Sequence, residues 1–148
     1  MKNILATNSL IVDSGFWFAL ANPRDRHHPL ARAALGKFEK LLFVTTWPVI
    51  TESCYLIGQR VSLEAQLRFL RNIEAGGSEL FHIQDEHWPR LVQLMHRYRN
   101  LPMDLADASL VILAEALGHG RILSTDQRDF ESYRWKSHEP FDNLLLPG

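Results

Sequence analysis

At 148 residues, 46% of them hydrophobic and 22% charged, the chain has the size and composition of one globular domain, which excludes a disordered or low-complexity protein. The 16 Lys+Arg against 17 Asp+Glu leave a formal charge of −1, so no overall field draws the protein to nucleic acid, although acids in a cleft and arginines on its rim remain compatible with that balance. The single cysteine, Cys54, excludes an internal disulfide framework and a cysteine-rich zinc module, and no run approaches the roughly 20 apolar residues that span a bilayer.

Lys2 is not followed by a long apolar core or a small-residue cleavage site, so no signal peptide is expected and a cytoplasmic protein without membrane attachment is. Ser9 to Val12 is a short branched apolar run ended by Asp13-Ser14-Gly15 and predicts a buried strand. A short helix is expected from Phe16 to Ala21, with Phe16, Trp17 and Phe18 as core aromatics, and Asn22-Pro23 breaks it. His28-Pro29 opens a second helix with Leu30, Ala33, Ala34, Leu35 and Phe38 on its inner side. Leu41 to Thr45 predicts a second strand. Thr46-Trp47-Pro48 starts a helix whose Val49, Ile50, Ser53, Cys54 and Ile57 share one face. Ser62 is placed to cap the next helix, with Leu63, Leu67 and Leu70 at helical spacing, and Gly76-Gly77 ends it.

Glu79 to Ile83 reads as a third strand, and Asp85 as the N-cap of a helix through Tyr98 with Pro89 in its first turn. Leu101-Pro102 introduces the longest helix, Met103 to Leu117, closed by Gly118 and Gly120. Arg121 to Ser124 predicts a fourth strand, Gln127 to Phe130 a helical turn, and Tyr133 to Lys136 a last strand. The tail from Glu139 to Gly148 is expected to be irregular, packed in part through Phe141 and Leu144 to Leu146. With no repeat or linker, this alternation predicts one α/β domain over residues 1–148, a three-layer α/β/α arrangement around a mostly parallel sheet of about four to five strands.

In a parallel sheet the ligand crevice lies beyond the carboxyl ends of the strands. Asp13 and Asp126 each close an apolar run at that position, and Glu52 and Asp107 stand near the starts of helices able to lean over the same edge. Asp13 and Asp126 read equally well as turn or helix caps. Glu52 (with Val49, Tyr55 and Leu56 at helical neighbour positions) and Asp107 (with Met103, Leu110 and Val111) border apolar stripes, where a carboxylate must be paired, protonated or metal-bound. Asp104 shares a face with Asp107 and is read as a cap or a supporting acid. Acids gathered without counter-charges call for a cation, and oxygen-only ligands suit Mg²⁺ or Mn²⁺. The site is in outline one that hydrolyses phosphodiesters; in-line attack by water would leave a 5′-phosphate and a 3′-hydroxyl and needs no protein nucleophile.

The segments Ile11-Val12-Asp13-Ser14, Thr51-Glu52, Leu105-Ala106-Asp107-Ala108-Ser109-Leu110 and Ser124-Thr125-Asp126-Gln127-Arg128-Asp129-Phe130 resemble the PIN domain, in that family's order and spacing, and within it the VapC-like toxins of bacterial toxin–antitoxin pairs. The resemblance runs from Leu10 to about Trp135, leaving a tail that the motifs do not explain. It implies that Asp13, Glu52, Asp107 and Asp126 hold one or two divalent ions. Ser14 and Thr125 would orient the carboxylates or a water, and Asp104 and Asp129 would lie at or beyond the outer ring of contacts. It further implies a metal-dependent endoribonuclease acting on single-stranded or loop RNA, a homodimer, and a cognate antitoxin. A housekeeping PIN nuclease of RNA processing or decay, and a catalytically silent PIN-like binding module, are the alternatives.

Arg24, Arg26, Arg97, Arg99, Arg121 and Arg128 are candidates for a basic rim or simply solvated. His27 and His28, being adjacent, point about 100° apart on a helix and do not suit one ion. His82, His87, His96, His119 and His138 show no ligand spacing, and no glycine-rich phosphate loop is present.

Overall fold

The computed structural model describes residues 7–146. In chain order its elements are β1 (Ser9–Val12), α1 (Ser14–Ala21), α2 (His28–Lys37), β2 (Leu42–Thr46), α3 (Trp47–Arg60), α4 (Leu63–Glu74), β3 (Glu79–Phe81), α5 (Trp88–Arg97), α6 (Leu105–Leu117), β4 (Arg121–Leu123), α7 (Gln127–Ser132), β5 (Arg134–Trp135), β6 (Glu139–Pro140) and β7 (Asp142–Asn143).

The sheet has five strands in the order β3-β2-β1-β4-β7, every pair parallel. All four residues of β1 are buried, as a central strand covered on both faces demands. The chain leaves β1 toward β2 and β3, then crosses back to add β4 and β7 on the other side. The rule that crossovers between parallel strands are right-handed puts helices on both faces of the sheet. On one, α1 packs against α2 and α3, and α3 against α4; on the other, α5 packs against α6. Val12 stands beside Leu123 in the register, and Asp13 N donates to Leu123 O at 3.1 Å, so the reversal of strand order falls where β1 and β4 end. A buried hydrogen bond of 2.6 Å between Thr46 Oγ1 and Ser109 Oγ ties β2 to α6 near the same edge.

The helices begin and end for local reasons. Ser62 caps α4 by accepting the Ala65 N–H. Gly118 closes α6 with φ of 79°, a left-handed position that glycine adopts without a Cβ penalty. The core holds Phe16, Trp17, Phe130 and Tyr133, the last three among its largest fully buried side chains together with the first.

Several expectations are corrected. Leu30 and Leu35 are exposed, as is Ala33, and α2 instead packs through Ala31 and Ala34. The helix expected from the spacing of Leu63, Leu67 and Leu70 is present as α4, but those leucines stay exposed and it buries Ala65 and Phe69. Cys54 is half-buried against the core. Asp85 does not cap α5: it lies inside a 3₁₀ turn, Asp85–His87, capped by Gln84 in a reciprocal pair with His87. The helix expected from Met103 begins at Leu105. Trp135 belongs to a separate antiparallel pair, β5 with β6, and the fifth strand of the main sheet is β7, inside the tail expected to be irregular.

Candidate active site

Asp13 follows β1 directly and caps α1: its Oδ1 accepts the Ser14 N–H at 2.7 Å. Its Oδ2 accepts the hydroxyl of Ser124, the first residue after β4, at 2.8 Å. Ser124 is wholly buried, and its oxygen also accepts the Asp126 N–H at 2.9 Å. Asp126 in turn caps α7 through the Asp129 N–H. On the other wall Asp104 caps α6 by accepting the Asp107 N–H at 2.8 Å, while Asp107 Oδ2 accepts the Asp104 N–H at 3.3 Å. Glu52 reaches in from α3 and accepts a hydrogen bond from the Ser14 hydroxyl. At Gly15 a Cβ would lie 2.0 Å from Thr125 Oγ1, so any larger residue would displace that hydroxyl; glycine lets the loop after β4 close against the start of α1.

These side chains line one cleft of about 270 Å³: Asp13, Ser14, Gly15, Glu52, Pro102, Asp104, Asp107, Thr125, Asp126 and Asp129. All eight residues singled out in the sequence are thus brought together. Asp104 and Asp129 stand in the wall itself instead of behind it, since Asp104 meets Glu52 and Asp129 meets Asp126 carboxyl to carboxyl. The lining includes six carboxyl groups and no lysine, arginine or histidine.

That imbalance raises the acids' proton affinity. Burial, then the charges of Asp104 and Asp13, push Asp107 from 3.8 to about 8. Glu52 rises from 4.5 to about 7 through burial and its contact with Asp104. Asp13 rises from 3.8 to about 6, with burial the cause and the Ser124 and Ser14 hydrogen bonds opposing it. Asp129 rises to about 6 through burial and the Asp126 carboxyl, with Arg128 pulling the other way. Such a cluster at neutral pH either keeps protons or takes in a cation. The donors are all hard oxygens, the set that Mg²⁺ and Mn²⁺ prefer. Among the described residues no three acidic, histidine or cysteine side chains already enclose a single point.

Ser124, which opens the fourth motif but was given no role there, and two residues outside the motifs, Tyr133 and Asn143, shape the site. Ser124 bridges Asp13 and the Asp126 backbone. Tyr133 donates its hydroxyl to Asp107 Oδ2 at 3.1 Å. Asn143 brackets Ser124, donating from Nδ2 to its carbonyl at 2.9 Å and accepting its N–H at 3.3 Å. Of these only Ser124 carried a local signal, a hydroxyl two positions before an acid at a strand end. Of the proposed rim, Arg121 is misplaced: it begins β4 and bonds the Ser9 carbonyl, at the opposite end of the sheet from the acids.

The sequence profile of the PIN domain family matches residues 10–136. Ribonuclease VapC26 of Mycobacterium tuberculosis (strain ATCC 25618 / H37Rv) is 26% identical over 125 residues, 84% of this chain and 92% of that protein. The crystal structure of Mycobacterium tuberculosis VapC20, a Sarcin-Ricin loop cleaving toxin, matches with a TM-score of 0.73 at 18% identity, over 80% of this chain and 91% of that one, a likeness of fold. Five parallel strands in this order, acids gathered where β1 and β4 end, and a family match over most of the length agree: the chain belongs to the PIN domain family.

Proposed function

We propose that the protein is a divalent-metal-dependent endoribonuclease, the toxin of a type II toxin–antitoxin system, acting in the cytoplasm on loop or single-stranded RNA. The observation that carries this reading is the cleft: six carboxyl groups in a lining without lysine, arginine or histidine, at the switch point of a parallel sheet. The likeness to Ribonuclease VapC26 supports RNA as the substrate.

Asp13, Glu52, Asp107 and Asp126 would hold one or two ions, Mg²⁺ or Mn²⁺, with Asp104 and Asp129 beside them. A divalent ion there supplies acidity to water and offsets charge building on the phosphate. The remaining work belongs to the chain's own side chains. Ser14 and Ser124 fix both oxygens of Asp13, Ser14 also restrains Glu52, and the capping pair ties Asp107 to the start of α6. Thr125 is held over Gly15, in reach of the cleft. Before loading, the acidic walls repel a phosphate backbone, so RNA binding and cation binding are coupled.

The expected partners are a cognate antitoxin and a second copy of the chain. Trp47, Trp88 and Leu105 are more than half exposed, around a mainly apolar hollow also lined by Pro48, Ile83, Leu91, His82 and Ser109. A patch so apolar and poor in charge suits the centre of a homodimer interface.

Cleavage of total RNA by the purified protein, with Mg²⁺ or Mn²⁺ against EDTA and with Asp107→Asn in parallel, tests the reading. Discrete fragments that require both the metal and Asp107 are expected. Folded, antitoxin-free protein that cuts no RNA with any divalent metal would overturn it.

A further inference from the structure

Tyr133 stands behind the cleft with 0% exposure, its ring edge-on to Tyr98 and to Phe130, each centroid 5.2 Å away. Its own N–H bonds the Asp129 carbonyl at 3.0 Å, so backbone and ring are both fixed. The hydroxyl lies 3.1 Å from Asp107 Oδ2, the same oxygen that accepts the Asp104 N–H. Oδ2 therefore has two donors, whereas Oδ1 accepts no hydrogen bond among the described residues. Rotating the carboxylate about its last bond would forfeit both donors and leave a buried phenol unsatisfied.

We propose that Tyr133 is a positioning residue that makes Asp107 a one-oxygen ligand, with Oδ1 turned to the cleft, and so sets the site's preference for a small divalent cation over Ca²⁺. The inference rests on the metal-dependent reading above. Mg²⁺ and Mn²⁺ hold ligands in compact octahedral geometry, to which a carboxylate gives one oxygen. Ca²⁺ takes six to eight oxygens at longer range and accepts both oxygens of a carboxylate. A carboxylate locked at Oδ2 favours the first arrangement; one free to turn serves the second as well. Hydrogen bonds to ligand side chains commonly change metal affinity by about 10–100-fold, so a single phenol has the required effect.

The test is calorimetric titration of Mn²⁺ and of Ca²⁺ into metal-free wild type, Tyr133→Phe and Tyr98→Phe, without RNA, with circular dichroism and melting temperature recorded for each. Tyr98→Phe removes a phenol from the same aromatic cluster, one that accepts the Arg134 N–H and does not touch Asp107. Wild type and Tyr98→Phe should favour Mn²⁺ by the same ratio, and Tyr133→Phe should shrink that ratio about tenfold. An unchanged ratio in folded Tyr133→Phe overturns the proposal and leaves the metal reading standing. Wild type that binds neither ion overturns the metal reading and the proposal with it. Should Tyr133→Phe be partly unfolded at the titration temperature, the titration is repeated at a lower temperature where its spectrum is native, and an unchanged ratio there overturns the proposal in the same way.

Discussion

The hydroxyl of Ser124 lies 2.8 Å from Asp13 Oδ2 and accepts the N–H of Asp126, so one small side chain joins the acid after β1 to the acid after β4. Ser124→Ala would remove the donor that opposes Asp13's rising proton affinity and would strand the Asp126 N–H. A hydrogen bond to a charged group contributes about 1.5–3 kcal/mol, so a loss of that size is expected in denaturant unfolding with metal present. Cleavage should fall about tenfold or more, because Asp13 is no longer held. Wild-type cleavage by Ser124→Ala would show that the bridge is dispensable.

Asn143 acts one step further out. Its Oδ1 accepts the N–H groups of Ser124, Leu145 and Leu146, and its Nδ2 donates to the Ser124 carbonyl. The residue lies beyond the family match, which ends at 136. Asn143→Ala is expected to cost about 1–3 kcal/mol, the desolvation of unpaired backbone groups, and to lower cleavage. Asp142→Ala, an exposed neighbour on the same strand, should stay within about 0.5 kcal/mol of wild type. Equal effects from the two would place the contribution in the strand and not in the carboxamide.

Metal-free protein should lose stability as the pH rises. Asp13, Glu52, Asp107 and Asp129 have folded values of about 6, 7, 8 and 6, above their ordinary 3.8 or 4.5. Between pH of about 4 and 8 the folded chain then holds more protons than the unfolded one, and the slope of unfolding free energy with pH is negative. The stabilisation is complete below the ordinary values and is lost as pH passes through the raised ones. Saturating Mn²⁺ should flatten or reverse this trend, since the ion binds the deprotonated carboxylates. Melting curves from pH 5 to 8, with EDTA and with Mn²⁺, check both halves; a melting temperature rising with pH in EDTA would contradict the electrostatic account.

Much of this was legible in the sequence because chemistry and element boundaries coincide. Asp13 and Asp126 follow short apolar runs that read as strands, and Asp104, read as a cap or a supporting acid, does cap the apolar helix once its start moves from Met103 to Leu105. What periodicity supplies is a stripe, not its direction. On α4 the leucines mark one side, yet the helix packs through Ala65 and Phe69, as α2 does through its alanines, where smaller side chains let helices approach. Tyr133 was hidden because its partner lies 26 positions away. β7 was hidden because Asp142 and Asn143 have no strand pattern of their own; pairing with β4 creates the strand.

The apolar patch makes a separate prediction. Trp88 is 61% exposed at the start of α5, next to Trp47 and Leu105 around the hollow. Trp88→Glu would put a charge at the centre of the proposed homodimer contact, where desolvating it is costly. Light scattering should find a dimer for the wild type and a monomer for the variant, with the fold unchanged because the side chain is already in solvent. A monomeric wild type at micromolar concentration would refute the second-copy assignment.

Asp107→Asn separates catalysis from stability. The carboxylate has the largest rise of the four shifted acids, to about 8, because burial and the charges of Asp104 and Asp13 act together on it. Asparagine keeps the shape, can still accept the Tyr133 hydroxyl and the Asp104 N–H, and carries no charge. In metal-free buffer at pH above about 8 the variant should therefore melt higher than wild type, by about 2–4 °C per kcal/mol of repulsion removed. In Mn²⁺ the order should invert, as wild type gains the binding energy that the variant has lost. RNA cleavage and growth arrest should both disappear. Opposite signs in the two buffers, with activity gone in both, are the signature of a group kept for its charge at a stability cost. Full toxicity from folded Asp107→Asn would remove it from the catalytic set.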